Sequence, residues 1–287
     1  MFDRFVVVDW SANSTPKRGR DSIWIAVLDG GGLSVSNPST RAAAQRCLVE
    51  LVASDPSGRT MIGVDFSLGY PAGTAAALGL AGCPWESMTG LLRKLIIDDD
   101  RNANNRFDVA SALNERITAT GAPFWGCPPS HAGAALTVTK PASFAPLGEW
   151  RSVEAVLRGQ GRRPFSSWQL LGAGAVGSQS LLGIPMIHRL SAQVTDRVMV
   201  WPFTTGLRAP TVDPGEVVIA EVWPSLLSIE VAEGAVRDEA QVIAVAQWLA
   251  DLDATERLAA LFAPDVADVA VVARIESEEG WVLGVGH

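Results

Sequence analysis

"RFVVVDWS", residues 4–11, and "DSIWIAVLDGGGLSVSNP", residues 21–38, decide how this chain is read. The first is a short apolar run rich in β-branched residues, the pattern of a strand buried on both faces. The second predicts two more strands around the Gly30-Gly31-Gly32 turn, a hairpin signal. Thr40 is a candidate N-cap for a helix over "RAAAQRCLVELVAS" (41–54). "RTMIGVDFSLGYP" (59–71) is a further buried strand, stopped by Gly69 and Pro71. Strand, strand, strand, helix, strand is a meander followed by a helical crossover. That order requires a mixed sheet rather than an all-parallel one.

The middle of the chain is helical and loop-rich. "WESMTGLLRKLIIDD" (85–99) and "FDVASALNERI" (107–117) have helical spacing, and residues 130–165 show little periodicity. Strand signals return in "DRVMVWPF" (196–203) and "EVVIAEVWPS" (216–225). "DEAQVIAVAQWLADL" (238–252) then carries a helical apolar stripe through Val242, Val245, Ala246 and Leu249. Short strands are expected in "VADVAVVARIESEEGWVLGVGH" (266–287). The expected organisation is one α/β domain over 1–287, with a helical and loop insertion at about 72–165.

With 48% hydrophobic and 19% charged residues in a chain of 287, a well-buried core is expected and disorder is not. The net charge of −8 argues against a broad electrostatic grip on nucleic-acid phosphates. It leaves room for a local basic groove, or for a metal between two negative partners. Cys47, Cys83 and Cys127 lie far apart and suit reduced thiols. No signal peptide is read at the start and no stretch approaches the ~18 apolar residues of a membrane span. A cytoplasmic protein with no membrane partner is therefore expected.

"LLGAGAVGSQS" (170–180) spaces Gly172, Gly174 and Gly177 like a dinucleotide-binding fingerprint, with Asp196 where a ribose partner would stand. A working fingerprint needs a buried strand before its first glycine. "RRPFSSWQLL" (162–171) is only weakly apolar, and Gly183 and Pro185 interrupt the segment after the glycines, so a helix is expected only from near Pro185. The better reading is a small-residue loop that packs closely or covers a site. No NAD is expected.

Three predicted strands share another feature. "VVVDWS" ends at Asp9, "MIGVDFS" at Asp65 and "VVIAEVWPS" at Glu221. A carboxylate at the edge of an apolar sheet loses hydration and needs a cation, a donor or a proton. Any one alone reads as a loop cap or an arginine partner. Three alike point to a shared site, and carboxylates without His or Cys neighbours suit Mg²⁺ or Mn²⁺. Such ions support phosphodiester hydrolysis or phosphoryl transfer.

The strand order with acids on the first and fourth strands looks like the RNase H-like fold. More closely, "VVVDWS", "IGVDFSLGYP", "RFDVASALNER", "FWGCPP", "IAEVWPSLL" and "RDEAQVIAVAQWLA" resemble a large uncharacterised family of predicted RNase H-like nucleases, over about residues 5–252. The resemblance implies an RNase H-like mixed sheet with helices on both faces, and a divalent-metal-dependent nuclease or phosphoesterase. It implies that Asp9, Asp65 and Glu221 face the metal and that Asp238 adds a fourth carboxylate. Asp238 also reads as an acid favoured by the helix macrodipole. The chain departs from the family pattern at Phe66-Ser67, where a proline-containing segment is usual, and at Gln241, where a second helix acid is expected.

On the substrate side, Arg106 could clamp a phosphate, with Asp108 orienting it and Arg101, Asn105 and Arg116 nearby; an exposed helix start reads equally well. "STPKRGR" (14–20) is the most basic short run and follows Asp9. Ser11, Ser14 and Thr15 could instead face the phosphate of a bound nucleotide in a phosphoryl-transfer protein of the actin-like ATPase type. A non-catalytic binding protein on the same fold is the third reading. His131, His188 and His287 form no recognisable triad. Of the ten tryptophans, Trp10, Trp125 and Trp223 neighbour the acids, and each reads most simply as core.

Overall fold

The computed structural model describes residues 1–172, 174–194 and 197–286. The proposed ribose partner Asp196 and the terminal His287 lie outside the described residues. β1 (Arg4–Asp9), β2 (Trp24–Asp29) and β3 (Gly32–Ser36) form the expected antiparallel meander. Thr40 caps α1 (Arg41–Ser54) by accepting the Ala43 N–H, and the helix returns the chain to β4 (Thr60–Val64), parallel to β1. β5 (Val198–Val200) and β6 (Val217–Glu221) complete a mixed six-stranded sheet in the order β3-β2-β1-β4-β6-β5.

Alternation along the strands divides the core in two. Val6, Val8, Ile62, Val64, Val217 and Ile219 face α1 and the helices between β4 and β5. Those are α2 (Thr74–Ala77), α3 (Pro84–Leu95), α4 (Arg106–Ile117), α5 (Ser152–Gly159) and α6 (Gly177–Val194). Of these five, α5 turns to the opposite face. There Phe5, Val7, Met61, Val218 and Ala220 pack against Val153 and Leu157 of α5 and the predicted stripe of α7 (Arg237–Ala254). Residues 4–8, 60–64 and 217–221 are buried throughout, which is why 5–8, 61–64 and 217–220 read as unbroken apolar runs.

Two expectations are corrected. α6 begins at Gly177, not near Pro185, and carries Pro185 in its interior. Packing overrides the local signal, since Leu181, Leu182, Ile184 and Ile187 are all buried against the sheet side of the helix layer. Gly183 has its own reason to be glycine: a Cβ there would come within 2.3 Å of the Phe66 ring.

The tail is also not a set of strands. It forms α8 (Leu258–Leu261), α9 (Val269–Arg274) and a π-helical turn over Ile275–Glu279, with a single bridge from Val282 to Glu221. Glu278 accepts the N–H groups of Gly73 and Ala75, and Glu279 accepts those of Ala72 and Ser152. The tail therefore pins distant loops, a task that sequence periodicity does not encode. Among the described residues no helix is long and apolar enough to cross a membrane.

Candidate functional site

The C-terminal ends of β1, β4 and β6 lie side by side. Val8 pairs with Val64, and Val64 pairs with Glu221. Asp9 and Asp65 are each one residue further along, so they share the face opposite Val8 and Val64, beneath the start of α7. The Trp10 N–H donates to Asp65 Oδ1 at 2.7 Å, and the Asp65 N–H donates to the Val8 carbonyl at 3.2 Å. Together these bonds fix the two aspartates against each other.

No cation pairs with either acid within 4 Å among the described residues. Burial pushes the Asp9 carboxyl well above the usual range, and repulsion from Asp65, Asp238 and Asp21 adds to it. Burial likewise lifts Asp65 to about 7, against the opposing pull of the Trp10 N–H and the hydrogen bond from Asp9. The pair therefore holds a proton that a bound cation would displace. Asp238 comes in from the first turn of α7, and its Oδ2 accepts the Asp21 N–H at 2.6 Å. That contact ties α7 to the loop between β1 and β2.

Glu221 is claimed differently. By register it shares Val64's face, and both its oxygens accept from the Arg151 guanidinium, at 2.6 and 2.7 Å. The Leu68 N–H donates a third bond at 3.1 Å. Arg151 also binds Glu154 through Nε and Nη2 and donates to the Glu279 carbonyl at 2.9 Å. Burial works against the Arg151 charge, but Glu154 and Glu221 hold its pKa above the ordinary arginine value. Glu221, expected to face a metal, is thus held in a buried ion-paired knot. Among the described residues no group of three or more His, Cys, Asp or Glu side chains is arranged to ligate one ion.

Above Asp9 opens a cleft of about 690 Å³, lined by Trp10, Ser11, Ser14, Asp21 and Asp238 on one wall. Arg106, Ser178, Gln179 and the glycine loop at Gly172 and Gly174 complete its lining, and Gln179 donates to the Trp10 carbonyl. The loop that mimicked a dinucleotide fingerprint is thus a wall of this cleft. Its preceding residues join no strand of the main sheet, pairing only as an isolated bridge between Gln169 and Trp125.

Arg106 is 7% exposed. It donates from Nε to Ser178 Oγ at 2.9 Å, and from Nη1 to Ser14 Oγ at 3.0 Å and Asn104 Oδ1 at 2.7 Å. No carboxylate pairs with it among the described residues, and burial lowers its pKa to about 10 with a contribution from Arg41. Asp98 offsets part of this from beyond salt-bridge distance, and a buried cation with no carboxylate in direct contact is suited to an anion that enters the cleft. Trp10, 1% exposed, also lines the cleft, and its Nε1 has no partner.

The other expected substrate residues stand elsewhere. Asp108 has a side chain 74% exposed and sits 3.6 Å from His131 Nδ1, outside the cleft. Arg116 donates to the Leu78 carbonyl at 2.7 Å. It follows Arg106 by ten residues, about 15 Å along the helix axis. Sequence reasoning missed Asp21, Ser178, Gln179 and Arg151, whose roles come from contacts across 70 or more residues that leave no local pattern.

No protein-family model matches the chain, and neither a curated protein nor a solved structure does.

Proposed function

We propose that the chain is a divalent-metal-dependent phosphoesterase, a nuclease on an RNase H-like sheet, with Asp9 and Asp65 as its metal-binding pair. The observation that carries this reading is a half-buried pair of acids without a cation, one of which lines a cleft that also holds a buried arginine with no carboxylate in salt-bridge contact among the described residues. Those two deficits match a substrate phosphate and a hard cation bound together. Mg²⁺ commonly uses one or two carboxylates and takes its remaining ligands from water and substrate phosphates. Two converging acids therefore fit it, with Asp238 at the rim and Glu221 excluded. The meander β1-β2-β3 followed by parallel β4 and β6 supports the RNase H-like assignment.

A bound divalent ion supplies an activated water and charge neutralisation at the phosphoryl group. The chain's residues do the rest. Asp9 and Asp65 would hold the ion as carboxylates, their protons passing to solvent. Arg106 and Ser14 orient a phosphate oxygen. Asp238 and the Asp21 loop hold the acidic wall in place.

The test is cleavage of single-stranded and duplex DNA and RNA, and of bis-p-nitrophenyl phosphate, with Mn²⁺ or Mg²⁺. The parent is expected to hydrolyse at least one of these and Asp9→Asn to lose that activity while remaining folded by circular dichroism. Equal activity in the two proteins would overturn the assignment. Hydrolysis or binding of ATP alone would move the site to the nucleotide-dependent reading.

A further inference from the structure

The two acids line different cavities: Asp9 lines the cleft that holds Arg106, whereas Asp65 lines a second cavity of about 240 Å³. Gly174 and Gln179 line both cavities and form the partition between them. The second cavity adds aromatic and apolar walls to an acidic floor: Phe165, Trp223 and Pro224 line it with the Gln241 amide, and Asp65 is joined there by Glu154 and Glu221, the two acids held by Arg151. Phe165 is 43% exposed, so a large aromatic ring is left partly in water at the rim of an acidic site.

The backbone is shaped to seat that ring. Gly174 has φ +75°, and a Cβ there would stand 2.3 Å from Phe165 Cε2, so only glycine lets the ring lie against the loop. Two exposed arginines, Arg162 and Arg163, immediately precede this segment. Arg162 Nη1 donates to the carbonyl of Ser225, a lining residue, at 2.7 Å. Neither arginine pairs with a carboxylate among the described residues. In a chain of net charge −8 these are free positive charges beside an aromatic shelf.

We propose that this second cavity is a base-stacking subsite. It seats one unpaired nucleobase on Phe165, facing Trp223 and reading its edge with Gln241, while Arg162 and Arg163 hold the adjoining backbone phosphate. Resting on the phosphoesterase reading, this makes the substrate a single strand that crosses the acid pair, with Arg106 on one side of the scissile phosphate and Phe165 on the other. A paired base presents no free face to an aromatic ring, so duplex is excluded from the shelf.

Equilibrium binding separates this proposal from the chemistry. Fluorescence anisotropy with labelled 12-nucleotide single strands of DNA and of RNA, and with the matching duplexes, would be recorded in Ca²⁺ for the parent and for Asp9→Asn. Single strands are expected to bind better than duplexes in both proteins. Phe165→Ala is expected to weaken single-strand binding roughly tenfold or more, with rescue by Phe165→Tyr, and to leave duplex binding unchanged. Arg162→Gln/Arg163→Gln is expected to flatten the salt dependence.

Failure of single strands to bind, equal binding of duplex, or a Phe165→Ala protein that binds like the parent would each overturn the subsite. Loss of hydrolysis in the parent with this binding intact would instead overturn the phosphoesterase reading.

Discussion

Two clusters of charge stand on the same sheet edge and are built on opposite principles. At the end of β6, Arg151 is wrapped by Glu154 and Glu221, and each guanidinium nitrogen has an acceptor. On the next two strands, β4 and β1, Asp65 and Asp9 face each other with no cation, and Arg106 lines the same cleft as Asp9 with no carboxylate in direct contact among the described residues. Charges that satisfy one another are structural. Charges held apart by the fold are left for something that arrives from solution. The difference between the knot and the cleft is the physical ground for placing function at the cleft.

The largest expected effect breaks the knot. Arg151→Met leaves two acids buried without a cation and is expected to cost about 3–5 kcal/mol of stability, read by urea denaturation. A loss below about 1 kcal/mol would erase the contrast. Next is the cleft's acid wall. Asp9→Asn is expected to cut metal-dependent hydrolysis by at least about a hundredfold. It should also abolish the rise in melting temperature that Mn²⁺ gives the parent, without lowering melting in metal-free buffer.

The third expectation concerns pH. Asp65's folded pKa of about 7 lies above the usual carboxyl value, so its protonated form is favoured in the fold. The stability this gives is fully present below about pH 4, the unfolded value, and is lost as pH rises through 7. Metal-free protein should thus lose on the order of 2 kcal/mol between pH 5 and pH 8 at this site. Asp65→Asn should flatten the profile, and an equally steep profile in that variant would assign the dependence to another group. The smallest effect sharpens the comparison from the other wall. Arg106→Met should weaken inorganic phosphate binding in Mn²⁺ roughly tenfold by calorimetry, yet change stability by less than about 1 kcal/mol. If its stability falls as far as that of Arg151→Met, Arg106 belongs to the framework.

Much of the sheet was readable residue by residue. The β-branched run at 4–8, the triple glycine and the Thr40 cap specify the meander and its helix, because each is a local constraint on backbone geometry. Asp9 and Asp65 were legible because a charge ending an apolar run is anomalous wherever it occurs. Glu221 looked identical in sequence, and what separates it is a single step of register against Val64. The start of α6 was not legible, because Gly183 and Pro185 carry a helix-breaking signal that buried packing outweighs. Gly174 was legible only as part of a close-packing small-residue loop, and Phe165 had no signal, since its significance is its contact with that glycine.

Sequence by itself determined the layered α/β architecture, the strands that end in acids and the absence of a strand before the glycine loop. Tertiary structure alone decided which acids remain uncompensated. Propensity and periodicity act over a few residues, whereas the balance of a charge depends on what distant segments bring within a few ångströms of it. Arg151 reaches Glu221 across 70 positions and Arg106 reaches Ser14 across 92, and those two meetings divide the framework from the site.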